Sequence, residues 1–302
     1  MSAKSGRLLV LNIGTPSRML SVSPDGADVQ TVVGDLGVAP DGIAVDPLQR
    51  QIFWSYMGSS HDGEDFLVND GRLERIDFDG HNRTVVVPEG ETFTPKQVQC
   101  DPVNRLIYWC DREGMRVMRA RTDGSERTVL VQTGFTENHR VDPRRHCVGV
   151  AIDHEAGFIY WTQKGKPDGS EGRILRAGLD LPPDANPGKR GDVELLFDHL
   201  PEPIDLEWDG EAGYLYWTDR GDPPAGNTLN RARVRPGEPM VREIILTGLR
   251  EGIGLALDHS NKRVFVSDLG GFVHVMSLER PDPGKVIFSG HGPLTGIAYL
   301  DD

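Results

Sequence analysis

The chain has 302 residues, and its 46 acidic against 33 basic side chains give a formal net charge of −13. Such a charge repels nucleic acid and anionic lipid, so neither is expected as a partner. The 36 glycines and 21 prolines indicate many turns, and a hydrophobic share of 37% suffices for a core, which excludes a disordered chain.

The N-terminal segment carries no recognisable targeting signal. Its apolar run Leu8–Leu11 is too short for the core of a signal peptide, and no later stretch approaches the length of a membrane span. The three cysteines form no CxxC pair, so the sequence predicts neither a disulfide framework nor a zinc knuckle. We therefore expect a soluble, cytoplasmic protein.

From the N-terminus, the segments RLLVLNIG, RMLSVSPDG and DVQTVVGD are predicted to be three strands of a repeat unit that lacks its first strand. Five complete units follow, each with a short apolar strand ending in Asp, a turn and an aromatic-rich strand. Two further β-rich segments complete each unit, without helical periodicity. Each unit therefore predicts one four-stranded blade. The copies begin at Gly42, Gln97, Gly149, Asp205 and Gly254.

The C-terminal segment LTGIAYL, from Leu294, resembles the missing first strand. An open array of blades would expose a strand edge and two apolar faces, whereas a ring hides both. We therefore predict an all-β fold: a six-bladed β-propeller with four antiparallel strands per blade, closed by N-terminal strands that pair with the C-terminal strand. It forms a single domain over residues 1–302.

The aromatic strands carry a recognisable tetrapeptide. Tyr216–Asp219 reads YWTD, and variants occur at equivalent places in the other complete units. The chain thus resembles the YWTD, or low-density lipoprotein receptor class B, family of six-bladed propellers, which implies the fold but no particular function. Tyr56 and Gln163 replace the signature Asp, and the cysteine-rich modules that flank such propellers in receptors are missing. The resemblance therefore indicates a stand-alone intracellular member.

Equivalent positions of the first strands predict what lines the channel. One level reads Ala44, Gln99, Ala151, Glu207, Ala256 and Ala298, so two polar side chains replace a small apolar residue. A buried carboxylate is costly and has a raised pKa, which favours Glu207 as a general acid or base. The alternative is that Glu207 pairs with another blade or lines a hydrated channel.

At the start of the same strands, Asp41 and Lys96 fall on adjacent blades, where they would form an ion pair that is either structural or catalytic. Pro40–Gly42 resembles the PDG segment of gluconolactonase and regucalcin propellers, whose Asp is a metal ligand. The partner segments with Asn before Gly are not found here, and a hard cation needs several oxygens. We therefore predict neither a metal nor another cofactor.

Two long loops should rim the same face of the ring. The loop from Gln132 to Gly149 is predicted to be a lid or substrate clamp, or else a solvated insertion. The second long loop starts at Ser55. The predicted substrate-binding residues are Gln99 and the rim residues Arg140, His146, Glu202, Glu251 and His291, with His139 added to the catalytic set.

Two functional hypotheses follow. The first is a small-molecule enzyme, a lyase, isomerase, cyclase or hydrolase, with metal-independent acid–base chemistry at the channel mouth. In it, Glu207 or Asp41 is the base, Lys96 tunes that base or stabilises an anion, and the ligand lies in the mouth. The alternative is a protein- or peptide-binding propeller without catalysis, for which the loops offer only three aromatic anchors, Phe66, Phe93 and Phe135.

Overall fold

The computed structural model describes residues 6–301, apart from 62, 64, 236, 280–282, 290 and 291. The described residues form six four-stranded antiparallel sheets, which confirms the predicted six-bladed propeller. Helical structure in this part of the chain consists of α1 (Glu137–Arg140) and a 3₁₀ turn (Pro143–Arg145). None of the helices found there has the length and apolar character needed to cross a bilayer.

The blades are numbered in chain order, the composite blade last. Blade 1 consists of β4 (Pro40–Asp46), β5 (Gln51–Tyr56), β6 (Gly71–Asp77) and β7 (Thr84–Thr92). Blade 2 consists of β8 (Pro95–Asp101), β9 (Leu106–Asp111), β10 (Arg116–Arg121) and β11 (Thr128–Gln132). Blade 3 consists of β12 (Cys147–Asp153), β13 (Phe158–Gln163), β14 (Gly172–Gly178) and β15 (Glu194–Leu200).

Blade 4 consists of β16 (Pro203–Asp209), β17 (Tyr214–Asp219), β18 (Thr228–Arg233) and β19 (Glu243–Thr247). Blade 5 consists of β20 (Gly252–Asp258), β21 (Arg263–Asp268), β22 (Phe272–Ser277) and β23 (Lys285–Ser289). Blade 6 joins β24 (Leu294–Asp301) to β1 (Gly6–Asn12), β2 (Arg18–Val22) and β3 (Val29–Gly34).

Blade 6 closes the ring in the predicted way. β24 pairs antiparallel with β1, with Gly6 opposite Asp301 and Val10 opposite Ile297. The first strand of each blade contacts the first strand of the next, from β4 round to β24 and back to β4. These six inner strands surround the channel. We call the face where they begin the upper face and the face where they end the lower face.

The Asp that ends each complete inner strand shapes the lower turns. The Asp101 carboxylate accepts the backbone N–H of Asn104 at 3.0 Å, and Asp209 accepts that of Ala212 at 3.1 Å. A left-handed residue then starts the second strand, as at Gly213, where φ is 71°. Short polar side chains that satisfy backbone groups favour such turns over helix.

The signature aromatics pack between blades, as the repeat predicts. All four tryptophans of the signatures are at most 1% exposed, and the tyrosines that precede or follow them are equally buried. Burying such large side chains against the next blade is the main source of stability in a stacked array, about 3–5 kcal/mol for each aromatic when it is truncated to Ala. None of these signature aromatics is among the described residues that line the channel cavity.

The third signature residue ties one blade to the next. The Thr162 hydroxyl accepts the Gly149 N–H at 2.7 Å and donates to the Ile204 carbonyl of the following blade at 2.8 Å. Thr218 makes the same two bonds, at 3.1 and 2.8 Å, one blade further on. Equivalent residues of neighbouring inner strands are therefore held at the same height around the channel.

Candidate functional site

Glu207 lies in the channel and pairs across it. Its Oε1 accepts a hydrogen bond of 2.8 Å from Nε2 of Gln99. Gln99 belongs to blade 2 and Glu207 to blade 4, so the bond passes in front of blade 3, where Ala151 occupies the same level. A larger side chain there would obstruct this bond. Gln99 and Glu207 are the two polar residues at a level where the other blades carry alanine, and each is the hydrogen-bond partner of the other.

A cavity of about 170 Å³ surrounds this pair at the lower end of the channel. Alanines of three other blades line it, and His259, with a 51% exposed side chain, lies among its lining residues. Burial raises the pKa of Glu207 to about 7, although the Gln99 hydrogen bond acts to lower it. Near neutral pH this carboxyl is therefore close to half-ionised.

Asp205 lies two residues earlier on the same strand and was not predicted. Its carboxylate accepts the N–H groups of Leu206 and Leu255, both at 2.9 Å, and the residue is 4% exposed. Burial and, next, the negative charge of Glu207 raise its pKa well above the usual value. At this level four of the six blades carry glycine, so Asp205 and Gln97 are exceptions that the alignment could have found.

Asp41 and Lys96 form a buried ion pair at the upper end of the channel. Nζ of Lys96 lies 2.6 Å from Oδ1 of Asp41, and their side chains are 10% and 2% exposed. Burial lowers the pKa of Lys96, while the Asp41 charge opposes that shift. Lys96 also contacts the sulfur of Met57 at 3.1 Å.

The ion pair and Glu207 do not form one reaction centre. Asp41 stands three positions before the level of Glu207, which is roughly 10 Å along a strand. Lys96 is not among the causes that shift the pKa of Glu207, which burial raises and the Gln99 hydrogen bond acts to lower. Of the two bases that Lys96 was expected to tune, it contacts Asp41 and not Glu207, which lies further along the channel.

Apolar side chains occupy the other half of the upper level. Val148, Ile204 and Ile253, from blades 3, 4 and 5, pack against one another and are at most 4% exposed. They form a floor that closes this side of the channel beneath the upper face. On this side of the channel, the polar side chains of the upper mouth therefore lie on the rim.

Charged side chains that the sequence analysis missed dominate this rim. Directly after the signature tetrapeptide, blades 2, 3 and 4 carry Arg112, Lys164 and Arg220, whereas blades 1 and 5 carry Met and Leu there. Lys164 and Arg220 share Oε1 of Glu202, each at 3.0 Å. The sequence shows these three cations at one fixed position of the repeat. Taken singly, however, an Arg or Lys after a strand is typical of a solvated turn.

Two predicted acidic rim residues contribute differently. Glu202 is 3% exposed, and burial acts to raise its pKa, but Arg220 and Lys164 lower it below the usual value. The Glu251 side chain is 55% exposed and lies 3.8 Å from Arg220. Glu113, also missed, is 1% exposed and lies 2.5 Å from the Arg112 guanidinium.

The long loop after blade 2 is docked on the rim. The Arg140 guanidinium donates to the Glu113 carbonyl at 2.5 Å and lies 3.6 Å from the centre of the Phe93 ring. Nε2 of His146 donates to the Arg140 carbonyl at 2.6 Å, and burial lowers the pKa of that imidazole. The loop therefore brings Arg140 and His146 to the rim as part of the folded body.

His139 has a local role instead. Its Nδ1 accepts the Phe135 N–H at 3.1 Å, and its own N–H donates to the Thr136 hydroxyl at 3.2 Å. These bonds shape the one-turn helix and leave His139 without a described contact to Lys96, Asp41 or Glu207. The remaining rim candidate, His291, lies outside the described residues.

A second cavity, of about 610 Å³, opens on the outer side of the docked loop. Arg144, Arg145 and Arg173 line it together with acidic residues. Of the three expected aromatic anchors, Phe66 is 3% exposed and Phe93 is covered by Arg140, so only Phe135, 64% exposed, presents itself to solvent. Across the described chain, no three His, Cys, Asp or Glu side chains are grouped to hold a metal ion.

Comparison with known proteins gives close relatives among fungi. The chain matches no family model. A Pyricularia oryzae protein named "Low-density lipoprotein receptor-related protein 1" is 43% identical, over 97% of this chain and 95% of its own length. "3-Hydroxyacyl-CoA dehydrogenase-like protein LAM1" of Cochliobolus heterostrophus is 37% identical over 93% of this chain, which spans only 60% of that relative.

Solved structures show the same architecture at low identity. A chain of the nidogen/laminin complex superposes with a TM-score of 0.74 at 18% identity, covering 98% of each chain. A gluconolactonase from Xanthomonas campestris gives a TM-score of 0.61 at 19% identity, covering 94% of this chain and 83% of that one. At such identities the likeness concerns the fold.

Proposed function

Because the chain belongs to the YWTD family of six-bladed β-propellers, with its receptor-related relative from Pyricularia oryzae, we propose that it uses this ring as a small-molecule enzyme. The chemistry is metal-independent proton transfer in the channel, and Glu207 is the group that gives and takes the proton. One observation carries the proposal: a carboxyl with a pKa of about 7 faces a cavity inside the ring.

A general acid–base group works best when its pKa is near the working pH. Gln99 holds Oε1 of Glu207, so the proposal assigns the proton transfer to Oε2. Asp205, two residues away, also has its pKa raised well above the usual value, first by burial and then by the negative charge of Glu207. Proton abstraction and return of this kind serve a lyase, isomerase, cyclase or hydrolase alike.

The cavity limits what reaches Glu207. A volume of about 170 Å³ corresponds to the space of roughly six water molecules in the liquid. Only a small substrate, or one end of a larger one, fits beside the carboxyl. The dehydrogenase in the name of the Cochliobolus relative is not part of the proposal, because the matched region is a meander of antiparallel strands.

Solvent isotope exchange tests the proton transfer without requiring the overall reaction to be identified. A panel of small carbon acids is incubated with the protein in D₂O, and loss of C–H signals is followed by NMR. We expect an exchanging substrate whose rate has an inflection near pH 7 and falls at least about 100-fold in Glu207→Gln. Glu211→Gln, at an exposed carboxylate of the same blade, is the matched control. Equal rates in wild type and Glu207→Gln would contradict the proposal.

The second candidate function is a protein- or peptide-binding module. The receptor-related name of the Pyricularia relative and the 64% exposed Phe135 favour it. A pulldown should then give one stoichiometric partner that Phe135→Ser loses. Arg140 is unsuitable for this test, because it is bonded to Glu113 and packed on Phe93.

We also propose that the protein is cytoplasmic and that neither nucleic acid nor a membrane is its partner. The net charge of −13 supports both exclusions.

A further inference from the structure

Four cationic side chains converge at the upper mouth of the channel. Arg112, Lys164 and Arg220 stand at one repeat position in three consecutive blades, so they point to the same part of the rim. Lys96 joins them from the inner strand of blade 2. We call these four residues the mouth cations.

The mouth cations lie close enough to repel one another. Lys96 feels the charges of Arg112 and Arg220, and Lys164 feels the same two arginines. Lys96, Arg112 and Lys164 are each only 8% exposed. Gathering like charges in such a site is costly unless anions balance them.

Three buried acids form ion pairs with the four mouth cations. Asp41 pairs with Lys96, and Glu113 pairs with Arg112. The other two cations share a single oxygen of Glu202. Glu251, the further acid near Arg220, is 3.8 Å away and 55% exposed. Among the described residues, Glu202 is therefore the one buried carboxylate that Lys164 and Arg220 contact directly.

An unpartnered polar atom lies near the mouth cations. His146 is 5% exposed, and its Nδ1 is buried without a hydrogen-bond partner in the described structure. Since Nε2 faces the Arg140 carbonyl, which can only accept, Nε2 carries the proton and Nδ1 is an acceptor. His146 lies within electrostatic reach of Glu113, Arg112 and Lys164. An acceptor beside cations suits a ligand that has a hydroxyl as well as an acidic group.

We propose that the upper mouth binds a small hydroxylated anion, whose carboxylate or phosphate is held by Arg220 and Lys164 and whose hydroxyl donates to His146. Arg220 is the first contact, because its side chain is 26% exposed. The ligand anion competes with Glu202 for the two cations. This site stands apart from the proton transfer assigned to Glu207, and neither depends on the other.

Isothermal titration with malate, succinate and inorganic phosphate tests the site, with sodium chloride at equal ionic strength as the reference. Malate and succinate differ by one hydroxyl. We expect saturable binding of malate, at least threefold weaker binding of succinate, and at least tenfold weaker malate binding in Arg220→Gln. Arg121→Gln, at an exposed arginine paired with Glu126, should bind malate like wild type.

Glu202→Gln separates a binding site from a purely structural network. Removing the competing charge should tighten malate binding several-fold, a gain that misfolding cannot produce. The proposal is overturned if none of the three anions binds beyond the sodium chloride reference. It is equally overturned if Arg220→Gln binds like wild type, or if Glu202→Gln fails to gain affinity while keeping the wild-type circular dichroism spectrum. Since Glu207→Gln leaves the mouth untouched, its malate affinity should equal that of wild type.

Discussion

At the scale of single residues, the channel holds ionisable groups in two separate environments. Glu207 has one amide partner and a small cavity, so burial determines its behaviour. Lys96 has an opposite charge at 2.6 Å, so burial and attraction act against each other. This difference predicts different responses to mutation.

The stability of the protein should depend on pH through Glu207. Its folded pKa, about 7, lies above the unfolded value of about 4.5. The neutral form is therefore favoured by folding, and that stabilisation is complete below pH 4.5 and is lost as pH rises through 7. We expect Glu207→Gln to become more stable relative to wild type between pH 5 and 8, by roughly 2–3 kcal/mol. Urea unfolding of both proteins at the two pH values measures this difference. An equal change of the unfolding free energy with pH in the two proteins would contradict the prediction.

The Asp41–Lys96 pair should show strong coupling. Either Asp41→Asn or Lys96→Met alone leaves an uncompensated buried group and should cost about 3–5 kcal/mol. The double variant should lose clearly less than the sum, because both partners go together. The exposed pair Lys262–Glu211 is the matched control and should show far weaker coupling, because solvent screens it. Additive losses at Asp41 and Lys96 would show that the pair is not formed in solution.

At the scale of the strands, the signature tetrapeptide fixes how neighbouring blades are aligned. Its aromatic residues fill the space between blades, and its hydroxyl residue bonds to two backbone groups of two blades. In blade 2 a cysteine takes this place, and Cys110 Sγ lies 3.2 Å from the Gly149 carbonyl oxygen. The alignment that reveals the channel residues is thus maintained by bonds between the second strands and the backbone of the inner strands.

The Thr162→Val substitution should therefore lower the free energy of unfolding by more than the small change in side-chain volume suggests. It leaves the Gly149 N–H and the Ile204 carbonyl buried and unpaired, for a loss of about 2–3 kcal/mol. Thr162→Ser keeps the hydroxyl, as Ser55 does naturally in blade 1, and should lose less than about 1 kcal/mol. Thermal unfolding of the two variants measures the contrast. Equal losses would mean that the methyl group, not the hydroxyl, matters.

The left-handed residues of the lower turns lead to a prediction about backbone strain. Gly213 has a φ of 71° and open space where a Cβ would stand, so Gly213→Ala should cost about 1 kcal/mol through backbone strain alone. Gly191 has equally open surroundings but no positive φ, and Gly191→Ala should be neutral or slightly stabilising. Chemical denaturation distinguishes the two. A neutral Gly213→Ala would argue against the left-handed turn.

At the scale of the whole molecule, the ring has no natural starting point. Residues 6 and 301 face each other in one strand pair, so a short glycine linker can join them. New ends between Pro183 and Asp184, both exposed, interrupt no strand. We expect the free energy of unfolding of this circular permutant to lie within about 2 kcal/mol of the wild-type value. Deleting β24 should instead abolish cooperative unfolding, because Leu8 and Val10 lose their cover. Calorimetry of both chains tests the pair.

The fold and the channel residues could be predicted from the sequence because the strands are periodic. Identical units place equivalent residues at one height, so aligning the repeats is enough to assign the exceptions Gln99, Glu207, Asp41 and Lys96 to the channel. The loops have no such periodicity. Whether His139 or His146 reaches the rim depends on the path of one irregular loop. Arg112, Lys164 and Arg220 were missed because single charged residues after strands are common on surfaces.

The pairing of Gly6 with Asp301 has a mechanical consequence. β1 starts and β24 finishes on the lower side, so tension between the two termini acts across the strands of this pair and peels them apart rung by rung. Backbone hydrogen bonds would then break in succession, never all together, and a small force suffices. A pull on the ends would thus open the ring at this seam first, while the other five blades still hold.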